Sequence, residues 1–133
     1  MLIIDKMLHE ELTRKVIGCA IEVHKRLGNG FQEVIYQRAL DIEMKLAHIE
    51  FAREMEMSIF YRDFEIGTRR VDFFVENKIM VEIKAITKLE DVHLAQAMNY
   101  LEAYKMEIGL LINFGSKSLE FKRVHNNKIL KGD

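Results

Sequence analysis

Proline is absent from the 133 residues, so helix and strand ends have to be read from glycines and polar clusters. Cysteine is nearly absent too. Cys19 stands alone, which rules out an internal disulfide or a cysteine-built zinc site and makes a reducing, cytoplasmic setting the expectation. Charge of one sign is also lacking: the net charge of −1 excludes a strongly basic nucleic-acid-binding protein of the simple kind. Uncharged runs such as Ile108 to Ser116 fall far short of the roughly 20 apolar residues that cross a bilayer, so no membrane partner is expected. Asp5, Glu10 and Glu11 interrupt the apolar start, unlike a secretory signal. There is no internal repeat, low-complexity tract or linker. Hydrophobic residues make up 49% and charged residues 31%, which fits one globular domain spanning 1–133 with core enough to fold without staples.

The apolar periodicity divides the chain. From about Leu8 to Leu27, the residues Leu8, Leu12, Val16, Cys19, Ala20, Val23 and Leu27 recur at three- and four-residue steps, with Ile17 and Ile21 widening the stripe. Gly28-Asn29-Gly30 stops this helix. A second helix is expected from Phe31 to Ala47, with the stripe Phe31, Val34, Ile35, Ala39, Ile42 and Leu46. At Ile49 the period changes to that of a strand. Three extended stretches follow, to Tyr61, from Phe64 to Val75 and from Ile79 to Ile86, separated by Arg62-Asp63 and Glu76-Asn77-Lys78; they read as an antiparallel meander. A third helix is expected from about Asp91 to Lys105 with Val92, Ala95, Met98 or Asn99, and Leu101 or Glu102 at its successive turns. The run Ile108 to Phe114 reads as a strand covered on both faces, and Leu119, Phe121 and Val124 as a last strand before a basic C-terminus. The order α-α-β-β-β-α-β-β predicts an α/β fold around a mixed sheet, in which a helical crossover joins two parallel strands.

The segment richest in chemistry runs from Arg70 to Lys84. Glu82 and Lys84, two apart on a strand, share a face. If Glu76, Asn77 and Lys78 form a three-residue loop, Asp72 falls opposite Glu82; a two-residue loop would put the two on opposite faces. Alternation favours the first: Val71, Phe73, Val75, Val81 and Ile83 then share one face, and Asp72, Phe74, Met80, Glu82 and Lys84 the other. Two carboxylates roughly 5 Å apart repel unless a cation compensates. A divalent ion is one compensator, since Mg²⁺ takes one or two carboxylates and keeps water and phosphate oxygens. Lys84 would then stand beside it, placed to orient or deprotonate a water. A solvated cross-strand salt bridge of Lys84 with either acid fits the same residues, and the pattern alone leaves both open.

Further positions extend the pattern: Gly30, Glu33 and Tyr36 in the string G-x-x-E-x-x-Y, and Gln96 with Tyr100 four apart on the third helix. In this order and spacing, with Asp72 and Glu82-x-Lys84 between, the chain resembles the GxxExxY family of PD-(D/E)XK nuclease-like proteins. Val71 stands where the superfamily name has proline. The resemblance implies a restriction-endonuclease-like core and a site in which Asp72, Glu82 and the main-chain carbonyl of Ile83 hold Mg²⁺ or Mn²⁺. It implies that Lys84 activates the water, that Glu33 completes the acidic site directly or through water, and that Gln96 and Tyr100 organise substrate and lysine.

Glu33 is also favoured structurally, as an acid in the first turn of a helix. The histidines show no paired metal-ligand spacing, although His93 near the start of the third helix could approach a phosphate. The expected function is a metal-dependent nuclease acting on phosphodiester bonds in DNA. The alternative is a catalytically weak or inactive nuclease-fold module that binds nucleic acid or protein, which the small size and near-neutral charge favour. A homodimer is one way to supply the missing binding surface.

Overall fold

The structure, a computed structural model, describes residues 9–126 and 128. Helix α1 (Glu10–Leu27) carries Glu10 and Glu11 in its first turn and His24, Lys25 and Arg26 in its last, each matched to the nearby pole of the helix dipole. It buries Thr13, Val16, Cys19, Ala20 and Val23, while Ile21 is exposed; Leu8 lies outside the described residues. Gly28 ends it with φ of 74°, a conformation that favours glycine, and donates its N–H to the His24 carbonyl.

Helix α2 (Glu33–Leu46) departs from the expected stripe. Its buried residues are Tyr36, Gln37, Leu40, Asp41 and Met44, whereas Phe31, Val34, Ile42 and Leu46 are exposed. The helix is rotated because Gln37 and Asp41 turn inward to polar partners, and apolar periodicity does not register an inward polar pair.

Five strands form one sheet in the order β1 (Phe51–Tyr61), β2 (Phe64–Val75), β3 (Ile79–Lys84), β4 (Ile108–Asn113), β5 (Glu120–His125). The pair β3 and β4 is parallel and the other pairs are antiparallel, with helix α3 (Asp91–Ala103) between the parallel strands in sequence. This is the α/β architecture and element order that the sequence predicts. One core joins α1 and α2 to Phe73, Val75, Val81, Ile83, Ile108, Leu110, Ile112 and Phe114. The other joins Val71 and Met80 to Ala97 and Leu101 of α3. The inward face of α3 is therefore Ala97 and Leu101, and Val92 is exposed. Leu101 packs so closely on Gly109 that a Cβ there would meet it at 3.1 Å.

Two polar fastenings set the frame. Tyr36, fully buried, stacks on Phe114 with centroids 4.8 Å apart. Its hydroxyl donates to the Gly28 carbonyl at 2.6 Å and accepts from the Phe31 N–H at 3.1 Å, which pins the turn between α1 and α2. Asn113, also fully buried, accepts from the N–H groups of Ile86 and Gly115 and donates to the Ile86 carbonyl and Glu120, tying the chain beyond β3 to the end of β4. Gly115 is obligatory there, because a Cβ would stand 2.3 Å from the Ile86 carbonyl oxygen. Tyr36→Phe leaves the ring stack but orphans the Gly28 carbonyl and the Phe31 N–H. We expect a loss of about 1–3 kcal/mol of stability, measured by urea unfolding.

Candidate active site

The β2–β3 connection is a three-residue loop in which Glu76 and Asn77 both have positive φ. Its register pairs Val75 with Ile79, Phe74 with Met80 and Phe73 with Val81, so the next step sets Asp72 opposite Glu82. The ladder stops there. The Ile83 N–H donates to the Oδ2 of Asp72 at 2.8 Å, a side chain standing where a strand carbonyl would be. Because the N–H and C=O of a strand residue leave on the same side, the Ile83 carbonyl also faces Asp72. The next carbonyl, that of Lys84, turns to β4 and accepts from Phe114 at 2.9 Å.

On the neighbouring strand Glu54 has φ of 55° and is missing from the pairing between Arg53↔Phe73 and Met55↔Val71. Beyond this irregularity the faces change over. Val71, expected beside Phe73, lies in the α3-side core, and Arg69 with it turns toward Glu82.

The second oxygen of Asp72 accepts from Gln37 Nε2 at 3.0 Å. Gln37 Oε1 in turn accepts from Arg53, whose guanidinium also pairs with Asp41 at 3.2 Å; Lys45 closes the chain on Asp41 at 2.9 Å. Asp72 is thus held from two sides, by the β3 backbone and by α2. Sequence reading missed Gln37, Asp41, Arg53 and Arg69. The available signal was the i, i+4 pair Gln37 and Asp41, two polar residues on the same side as Tyr36, Leu40 and Met44.

Glu82 is 4% exposed. Its carboxyl is pushed up to about 8, first by desolvation and then by the adjacent Asp72, with Arg69 and Lys84 opposing. Arg69 grips it with both prongs, Nη2 to Oε2 at 3.2 Å and Nη1 to Oε1 at 3.3 Å, while its guanidinium lies 4.0 Å over the Tyr100 ring. Glu33, in the first turn of α2, is also raised, by desolvation first and Asp72 second, with Lys84 and Arg69 pulling the other way. Glu82 and Glu33 therefore both feel the charges of Asp72, Lys84 and Arg69. Gln96 and Tyr100 line one crevice with Glu82, Lys84 and Arg69. His93 borders it too, with Nδ1 accepting the Glu90 N–H in a capping box.

Among the described residues no three His, Cys, Asp or Glu side chains come close enough together to hold a metal ion. The donor set is instead a carboxylate pair with a carbonyl facing it. Asp72 and buried Glu82 adjoin at the broken ladder, and Mg²⁺, which takes one or two carboxylates and retains waters, fits such a set.

A family model described as the PD-(D/E)XK nuclease superfamily matches residues 10–124. No curated protein matches the sequence. Among solved structures, the crystal structure of SSO0001 superposes with a TM-score of 0.53 at 18% identity, over 97% of this chain and 71% of that one, a likeness of fold alone.

The Glu82 carboxyl yields a pH prediction for the metal-free protein. Its folded pKa lies above the ordinary 4.5, so the folded state holds a proton that the unfolded state releases. Its contribution to stability is complete below 4.5 and is lost as pH rises toward about 8. With EDTA present, the melting temperature of the wild type should fall across that window more steeply than that of Glu82→Gln. Parallel curves would show that Glu82 ionises normally.

Proposed function

The chain belongs to the PD-(D/E)XK nuclease superfamily, and on that premise we propose that it is a metal-dependent nuclease hydrolysing phosphodiester bonds in DNA. The observation that carries this reading is the convergence of Asp72 and buried Glu82 at the point where the β2–β3 ladder ends, with Lys84 two residues on. A divalent ion, Mg²⁺ or Mn²⁺, would be held by these two carboxylates and the Ile83 carbonyl, and when bound it supplies positive charge against the charge developing on the phosphoryl and leaving oxygens. Lys84, as the neutral amine, orients the attacking water and receives its proton as the new P–O bond forms and the bond to the leaving nucleotide oxygen breaks, that oxygen then taking a proton from solvent. Glu33, coupled to the pair but outside any three-carboxylate cluster, acts through water. Gln96 and Tyr100, on one face of α3, orient Lys84 and the substrate backbone.

Within the superfamily we assign the chain to the GxxExxY branch. The Tyr36 hydroxyl pins the turn from Gly28 to Phe31 and thereby fixes the first turn of α2, from which Glu33 projects; this gives the Gly30, Glu33 and Tyr36 spacing a physical purpose.

Purified protein with Mg²⁺ or Mn²⁺ should degrade single- or double-stranded DNA, and EDTA should stop it. RNA belongs beside DNA in the assay, since no residue named at the site reports on the 2′-hydroxyl. Asp72→Ala should lose both cleavage and metal-dependent thermal stabilisation, which for the wild type amounts to about 2.7 kcal/mol at a hundredfold excess over the dissociation constant. Lys84→Ala should keep the stabilisation and lose cleavage. Metal binding without cleavage of either nucleic acid would favour the nuclease-fold binding module instead.

A further inference from the structure

Arg69 is not among the residues that the proposed chemistry uses, yet it makes the closest charge contact of the site. Its guanidinium meets both oxygens of Glu82 and covers Tyr100, with only a quarter of its side chain exposed. The crevice it shares with Lys84, Gln96 and Tyr100 leaves about 10 Å³ of free space, the lower limit for a single water. A metal ion that keeps several waters does not enter beside Glu82 while Arg69 holds both of its oxygens. Tyr104 is stacked on Tyr100 with ring centroids 6.1 Å apart, within range of the Arg69 charge. Its hydroxyl oxygen is buried and has no hydrogen-bond partner in this arrangement. A buried hydroxyl without a partner is costly and uncommon, and this one feels the charge of a group with five N–H donors.

We propose that Arg69 is an exchangeable partner of Glu82: it occupies both carboxyl oxygens while no metal is bound, and on metal binding it moves off Glu82 to the Tyr104 hydroxyl, staying over the Tyr100 ring. The proposal rests on the reading of Asp72 and Glu82 as metal ligands. Arg69, Glu82 and Tyr100 border one crevice, and Tyr104 stacks on Tyr100 behind it, so the exchange is a rotation of the Arg69 side chain along the two stacked rings. The metal-free site is thereby kept closed, and metal affinity carries the cost of releasing Arg69.

The test is calorimetric titration of the full chain with Mn²⁺, without nucleic acid. Arg69→Met keeps the apolar stem and removes the competing cation, so the dissociation constant should fall by about tenfold or more, the factor that 1.4 kcal/mol of lost competition confers. Tyr104→Phe should weaken Mn²⁺ binding in the wild-type background, where Arg69 loses its landing place, and leave it unchanged in the Arg69→Met background. Should Arg69→Met not fold, Arg69→Lys keeps a cation on the strand but loses the two-pronged grip, and tighter binding is expected of it as well. Unchanged or weaker Mn²⁺ binding on replacing Arg69, or an equal Tyr104→Phe effect in both backgrounds, overturns the exchange. In that case binding by the wild type and its loss in Asp72→Ala leave the metal site standing. If neither wild type nor Arg69→Met binds Mn²⁺, the metal-site reading falls and the exchange with it.

Discussion

The hydrogen bond from the Ile83 N–H to the Asp72 carboxylate is the contact on which the arrangement of the site depends. An interior strand must satisfy each backbone donor. Here β3 does so with a side chain, and three consequences follow from the one substitution. Pairing of β2 with β3 ends at Phe73↔Val81, so β2 is released beyond Asp72. The Ile83 carbonyl is left facing a carboxylate and not a ladder partner. And the Asp72 carboxylate is brought to the edge of β3, where Glu82 is its neighbour. The acidic site is therefore a defect in the sheet whose unpaired Ile83 donor has been given a side-chain acceptor.

Holding a carboxylate at that defect requires more than one bond. Gln37 takes its other oxygen, and Gln37 is itself oriented by Arg53, which is oriented by Asp41. Buried polar chains of this kind stabilise only when each member is satisfied. This one is, and its far end reaches the exposed Lys45. The rotation of α2 follows from it: the helix turns Gln37 and Asp41 inward and leaves Ile42 and Leu46 in solvent. Apolar burial that the helix could have gained is given up for a fixed Asp72.

This explains which parts of the fold were legible. The register between β2 and β3 was readable because it depends on loop length and on parity, both written locally in Glu76-Asn77-Lys78 and in the alternation on either side. The fully buried run Ile108 to Asn113 and the helix stop at Gly28 were readable for the same reason. The stripe of α2 was not, because a periodicity count treats Gln37 and Asp41 as outward residues, and the residues that draw them inward, Arg53 and Asp72, are 16 and 35 positions away. Nor was the changeover of faces near Asp72, which put Val71 and Arg69 on the α3 side. It arises from an irregularity opposite Glu54, and no period-two pattern contains it. Charge partners distant in sequence are what local pattern misses, and in this chain they surround the site.

Arg69 shows how the two halves of the molecule meet there. Asp72 is secured from α2 on one side of the sheet, and Glu82 is gripped by Arg69 beneath Tyr100 of α3 on the other. The two carboxylates come from neighbouring strands but answer to different cores. A change in α2 packing shifts Asp72 relative to Glu82, and a change in α3 packing shifts Glu82 relative to Asp72. Their separation, which decides whether a small cation is bound by both, is set by the strand pair β2 and β3 that carries them. Asn113 and the obligatory Gly115 clamp that sheet just past Lys84, where β3 would otherwise fray. The rigidity of the parallel pair β3 and β4 is thus what converts two separately positioned acids into one site.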